Sequence, residues 1–374
     1  MTAQPPDSRK PRHVGRGESL RLLLAPARIR ESLSIAPYPP LRNAASAGAQ
    51  VSVALSIAVA LAHFSPWAHL QGFPALGALA ALFGRFAPLG RRMPIVAVAG
   101  ALLLVSVGLP SLVAQAGASP QSMLMCLALL AGVLTVAVTR WRIGGPGSVI
   151  FVFAASAALG SVDSWHTVVA RCALTAAGAG VALIVCRFTD GLRSDAAPPV
   201  PAAGSVRPSD HWVIAAGRVA FCAAVASMLA HAAALPFPAW AAIGATAVLQ
   251  GGHLHVTMHR AVQRMVGTGV GAVVAGLILT NHPSFWFVLF AVIVLQFVTE
   301  VVIGFNYAFG LVFVTPMALL MTSLSTPAAS AAMPMARVLD TALGALVGIA
   351  FALVFSTLDD RVHLATHHAR KQPG

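Results

Sequence analysis

Arg260 and Arg264 lie four residues apart, so on a helix both guanidinium groups project from one face. Their planar forks can each hold a carboxylate through two parallel hydrogen bonds. Gln250 ends the apolar segment just before them and can donate to the same carboxylate. Glu300 stands near one end of another apolar segment. A carboxylate there is costly unless paired or watered, so it is a candidate proton carrier; an interfacial residue reaching the headgroups is the alternative. Arg218, about two turns into a further segment, is a pairing option for Glu300. Arg337 and Asp340, three apart, can pair locally. His253, His255 and His259 cluster beside Arg260 without a nearby Cys, Asp or Glu, which reads as a basic turn and not as a metal site. No GxxxxGK(S/T) loop, Ser/His/Asp set or metalloprotease motif occurs. These residues suit anion capture and proton carriage. They imply no enzyme, no cofactor and no metal.

The elements that must carry them are membrane helices. The chain of 374 residues is 57% hydrophobic and 9% charged, with mean hydropathy +0.81, and a soluble domain is rarely so poor in charge. The apolar runs do not alternate as barrel strands would. The expected fold is all-α and polytopic, with about 12 transmembrane helices. The net charge of +13 would suggest nucleic acid in a soluble protein; here no nucleic-acid module is present and the charge reads as topology. Cys126, Cys172, Cys186 and Cys222 all fall in apolar runs and read as free buried thiols.

The expected organisation is a cytoplasmic tail over 1–42, a six-helix half over 43–186, a polar linker over 187–211, a second six-helix half over 212–356, and a tail over 357–374. Ser19–Ser34 reads either as a basic helix lying on the inner leaflet or as a plain tail. The halves read as a repeat: Ser122–Ser161 aligns with Ser284–Ser323 without a gap, and Arg171, Thr175 and Gly178 match Arg337, Thr341 and Gly344. Arg85, Arg91, Arg92, Arg140 and Arg142 fall in connections on the side of the N-terminus, whereas the opposite connections carry almost no Lys or Arg. This places both termini in the cytoplasm of a cell (inner or plasma) membrane and makes the halves parallel. The second segment of each half, Gln71–Gly84 and Phe237–Gln250, has only about 14 residues, against the ~20 of a full crossing. Short segments at matching places in two halves point to a transporter's binding site.

Trp240, Gln250, Arg260, Arg264, Gly267-Thr268 and Gly271 together resemble the core motif of the fusaric-acid-resistance-like (FUSC) family of aromatic-acid exporters, to which the plant aluminium-activated malate transporters are similar. Gly267 and Gly271 are also a small-xxx-small pair that lets two helices approach closely. A second stretch resembles the family through Glu300, Asn306-Tyr307 and Thr315-Pro316. Pro316, inside a helix, frees a carbonyl that could bind a cation or line a cavity. Half one departs from this pattern, with Val138 at the Glu300 position. The resemblance implies an exporter of small aromatic or organic acids, and with no ATP motif in the chain a proton gradient is the expected drive. In this reading Arg260, Arg264, Gln250, Arg218 and Asn306 are the expected substrate residues and Glu300 the expected proton carrier. Trp240, Gly267, Thr268, Gly271, Pro316, Arg337 and Asp340 form the framework. An anion channel and a non-transporting membrane scaffold are the alternatives. The expected partners are a small organic anion, the lipid bilayer and, as a further option, a second copy of the chain, with no nucleic acid.

Overall fold

The computed structural model describes residues 17, 32, 41–88, 90–193, 210–250, 254–325 and 331–356. The tail readings, most of the linker and His253 lie outside the described residues. Twelve helices stand among the described ones, six before the linker and six after it. The first six are α1 (Leu41–His63), α2 (Gly72–Ala78), α3 (Arg92–Gln115), α4 (Pro120–Arg140), α5 (Ser148–Ala157) and α6 (Trp165–Thr189). The second six are α7 (Asp210–Ala232), α8 (Ala239–Leu249), α9 (Leu254–Leu279), α10 (Phe285–Val302), α11 (Tyr307–Ser325) and α12 (Met333–Val354). Tight 3-10 turns extend α2 over Leu79–Leu82 and α6 over Asp190–Leu192. No strand occurs among the described residues, and the chain is an all-helical polytopic membrane protein.

Among the described residues, eight helices are long and apolar enough to cross a membrane: α1, α3, α4 and α6, then α7, α9, α10 and α12. The second and fifth helix of each half are the short ones. Burial explains how they can be short. Trp240–Val248 of α8 and Phe73–Phe83 around α2 are buried throughout, so neither has to match the bilayer's thickness at a lipid-facing surface. The longer helices surround them and present Val133, Val169, Val273 and Phe290 outward.

The two sets of six repeat one another. The pairings of α2 with α6, α3 with α6 and α3 with α5 recur as α8 with α12, α9 with α12 and α9 with α11. Between the halves, α4 packs on α7 just as α10 packs on α1, and α5 meets α8 as α11 meets α2. Close approach uses the same glycines: Gly178 lies against the Pro74 carbonyl, and Gly344 against the Ala241 carbonyl. The register differs from the ungapped alignment by three residues. Helices α4 and α10 begin at Ser119 and Ser284, whose hydroxyls accept from the N–H groups of Ser122 and Phe287. The caps therefore pair Ser119, not Ser122, with Ser284. A three-residue shift is close to one helical turn, so the apolar faces still coincide.

Two boundaries also move. Helix α6 continues to Thr189, past the expected start of the linker at 187, because its end is tied into an ionic cluster described below. Helix α9 begins at Leu254, so Arg260 and Arg264 lie within a helix and not in a turn.

Candidate functional site

A cavity of about 890 Å³ opens between the halves at the end of the bundle formed by the connections α1–α2, α3–α4, α5–α6 and α7–α8. The four short helices line it, through Phe73 and Leu76 of α2, Phe153 and Ala157 of α5, Trp240 of α8 and Met317 of α11. Its walls are largely apolar and aromatic, and Arg171 is the arginine that lines it. The Arg171 guanidinium lies 5.1 Å from the Phe73 ring and donates to the carbonyls of Ala158 (3.3 Å), the C-cap of α5, and of Ser161 (3.0 Å) in the α5–α6 connection. Of the substrate residues expected from sequence, none lines this cavity; only Trp240 of the framework set does.

Those residues gather elsewhere in the second half. Arg260 lies 5.1 Å from the Tyr307 ring and donates to the Ala247 carbonyl at 3.3 Å. One turn on, Arg264 donates to the Tyr307 hydroxyl at 3.0 Å. Arg264 is within electrostatic reach of Arg337, whose guanidinium lies 5.0 Å from the Trp240 ring. Trp240 in turn stacks on Phe237 and faces the cavity. A line of guanidinium and aromatic groups thus runs through α9, α11, α12 and α8. Arg264, Arg337 and Asp340 are 3%, 5% and 0% exposed. Nε and Nη1 of Arg337, Nε of Arg264 and both carboxylate oxygens of Asp340 have no hydrogen-bond partner. The expected local bond between Arg337 and Asp340 is therefore not made, although they are three apart on α12.

Gln250 and Asn306 have local work. Oriented to match donors with acceptors, the Gln250 side-chain oxygen accepts from the Ser148 and Val149 N–H groups, both at 2.9 Å, and so caps α5 of the other half. The Asn306 oxygen accepts from the Ala308 N–H at 2.7 Å and caps α11. Gly267 and Gly271 bring α9 against α11 as the spacing implies, and Thr268 between them is buried. A Cβ at Gly271 would lie 2.9 Å from the Val312 carbonyl, the one freed by Pro316, so that carbonyl is packed on a helix and lines no cavity.

Glu300 is paired with Arg85 at 2.8 Å, from the α2–α3 connection of the other half, and not with Arg218. Arg218 is half-buried on α7 and has a partner of its own. Gln296 donates to Glu300 at 3.4 Å. Behind Arg85 stands a wider cluster. Arg193 donates to the carbonyls of Arg85 and Ala87, both at 2.8 Å, and pairs with Asp190 at 3.1 Å. Arg92, completely buried, meets Asp190 at 3.5 Å and bonds to Gln50. The cluster joins α1, the α2–α3 connection, the end of α6 and α10, at the end of the bundle away from the cavity. Arg85 and Arg92 are visible in sequence only as topology charges. Asp190, three residues before Arg193, is the local signal that an ionic cluster forms there.

Residues 222–351 match the family described as fusaric acid resistance protein-like. That matched segment lies within the second half of the chain, from α7 to α12. The family segment holds the whole guanidinium–aromatic line, the α9–α11 glycines and Glu300, but not Arg85 or Arg171. The chain is also similar to the "Uncharacterized membrane protein YvaC" of Bacillus subtilis (strain 168), with 36% identity over 111 residues. That alignment takes in 29% of this chain and 18% of the relative. No solved structure matches the chain. The four cysteines are free; Cys186 and Cys222 are buried, whereas Cys126 and Cys172 are half-buried. Among the described residues no three His, Cys, Asp or Glu side chains come together as a metal set.

Proposed function

We propose that this chain is a secondary transporter that exports small aromatic or organic acids from the cytoplasm, with both termini on the cytoplasmic face of the cell membrane. The observation that carries the reading is the cavity of about 890 Å³ between two repeated halves, lined by the short second and fifth helices of each. Broken or short helices at the contact between repeats are where carriers hold their cargo. The aromatic and methionine walls suit a flat apolar ring. Rocking of one half on the other would expose the site to each side in turn.

Glu300 is the coupling carboxylate in this reading. Its bridge to Arg85 joins the halves at the end away from the cavity. A proton on Glu300 would remove the ionic part of that bridge and let the halves separate there. Arg260 and Arg264 lie on the same side of the molecule and attract anions toward that end.

The test is accumulation. Cells lacking the protein should retain added benzoate, and cells expressing it should expel benzoate against its gradient. Ala157→Phe fills the cavity from an exposed position on α5 and should abolish export while the protein still inserts. Movement only down the gradient would mean an anion channel. Undiminished export with the cavity filled would remove it as the substrate site.

A further inference from the structure

Arg171 and Arg337 occupy equivalent places in the two halves, each with its guanidinium near a ring at the start of the half's second helix. Their surroundings have diverged. Arg171 uses both terminal nitrogens on carbonyls, that of Ala158 at the end of α5 and that of Ser161 in the α5–α6 connection. Both arginines leave Nε without an acceptor, and Arg337 leaves Nη1 without one as well. Where half one has the apolar Leu174, half two has Asp340; Thr175 bonds back to the Arg171 carbonyl at 2.8 Å, while the Thr341 hydroxyl has no partner. Half two also adds Arg264, whose Nε is unpaired. Arg264 and Arg337 against Asp340 leave one surplus positive charge in a buried site. Buried charge persists where it is functional or compensated. A bound monovalent anion would compensate it and accept the donors that now lack partners.

Resting on the exporter reading, we infer that Arg337 and Arg264 form an occluded binding site for the carboxylate of a small aromatic acid. Trp240 is the wall between this site and the cavity. It stacks on Phe237 and lies 5.0 Å from the Arg337 guanidinium, which places a ring-binding surface next to a carboxylate fork. The cargo's ring lies on the aromatic pair and its carboxylate on the two guanidinium groups. From there Tyr307 and Arg260 continue the line toward the far end of the bundle. In half one the matching arginine is fastened to backbone, so this site has no twin.

The experiment is equilibrium binding to the purified full chain in detergent, using benzoate and, separately, benzyl alcohol, which keeps the ring and lacks the charge. Benzoate should bind saturably and raise the unfolding temperature; benzyl alcohol at the same concentration should do neither. Arg337→Gln and Arg264→Gln should each weaken benzoate binding by about tenfold or more, the scale of a lost charged fork. Arg337→Lys should weaken it less than Arg337→Gln, because the charge remains. Arg187→Gln, at an exposed position on α6, should leave the affinity unchanged. If Arg337→Gln does not fold, the lysine variant and Arg264→Gln carry the test. Equal benzoate affinity in the parent and these variants would overturn the site, as would absence of saturable binding by the parent. The export assay is read independently. A chain that exports benzoate without binding it here refutes this site alone; one that binds it here and moves nothing refutes the exporter alone.

Discussion

Glu300 and Arg85 come from opposite halves, 215 positions apart, and their bridge is mostly shielded, with side chains 8% and 19% exposed. Removing one member of a well-buried pair costs roughly 3–5 kcal/mol. Arg85 still reaches solvent, so Glu300→Gln should cost less, about 1.5–3 kcal/mol, the scale of one charged hydrogen bond. Thermal unfolding in detergent measures this. In transport, the same variant should stop export from responding to a pH gradient. Export that still follows the gradient would end the coupling role of Glu300. Exchanging the charges, with Arg85→Glu and Glu300→Arg together, should recover much of the stability lost by either change alone. The basic residues yield to a subtler change. Arg260→Lys with Arg264→Lys keeps the charge and hence the orientation, but loses the fork. Normal insertion with a higher benzoate concentration for half-maximal export is expected. A titration identical to the parent's would show that these arginines only orient the protein.

At the scale of elements, α9 and α11 are held together by absent side chains. A Cβ at Gly267 would collide with the Ala308 carbonyl and one at Gly271 would lie 2.8 Å from Thr315. Backbone cannot yield as a flexible side chain can, so overpacking here costs about 1–3 kcal/mol. Gly269, on the same helix, has nothing within 4 Å of its Cβ position. Gly267→Ala and Gly271→Ala should therefore lower the unfolding temperature. Gly269→Ala should hold or raise it, since alanine favours a helix over glycine by up to about 1 kcal/mol. Equal effects at all three would mean that α9 and α11 do not pack as described. The close approach also sets where Arg264 lies, because it reaches Tyr307 across this same contact.

The whole molecule is a pair of similar halves put to different uses. Half one fastens its arginines: Arg171 to the end of α5, Arg92 and Arg193 to Asp190. Nitrogens without an acceptor remain in both halves, on Arg92, Arg171 and Arg193 as on Arg264 and Arg337, but in half two the neighbouring Asp340 carboxylate is unpartnered as well. The ionic cluster closes one end of the bundle and the cavity opens the other. For export, the cluster end must face the cytoplasm, as the arginine distribution also implies. Ser205→Cys, in the linker and with the four native cysteines replaced, should resist an impermeant thiol reagent in intact cells. Ready labelling there would reverse the orientation and, with it, the direction assigned to transport.

Much of this architecture is local in origin and was legible in the chain. Long apolar runs must become helices in a bilayer, because only a helix satisfies its own backbone there; the twelve segments follow from that alone. The short second segments, the Gly267–Gly271 spacing and the match of Arg171 with Arg337 are likewise sequence patterns with local causes. What the tertiary structure decided is which polar groups meet. Glu300 pairs with Arg85 and not Arg218 because α10 packs on α1, a contact between halves that no spacing encodes. Gln250 and Asn306 became helix caps because chain ends converge on them. Arg337 and Asp340, three apart, do not bond, since burial against α8 and α9 governs where their side chains go. The cavity is a space between halves: the short second segments point toward it, but its walls are not written in the chain, since hydropathy records that a residue leaves water and only packing decides what it then faces.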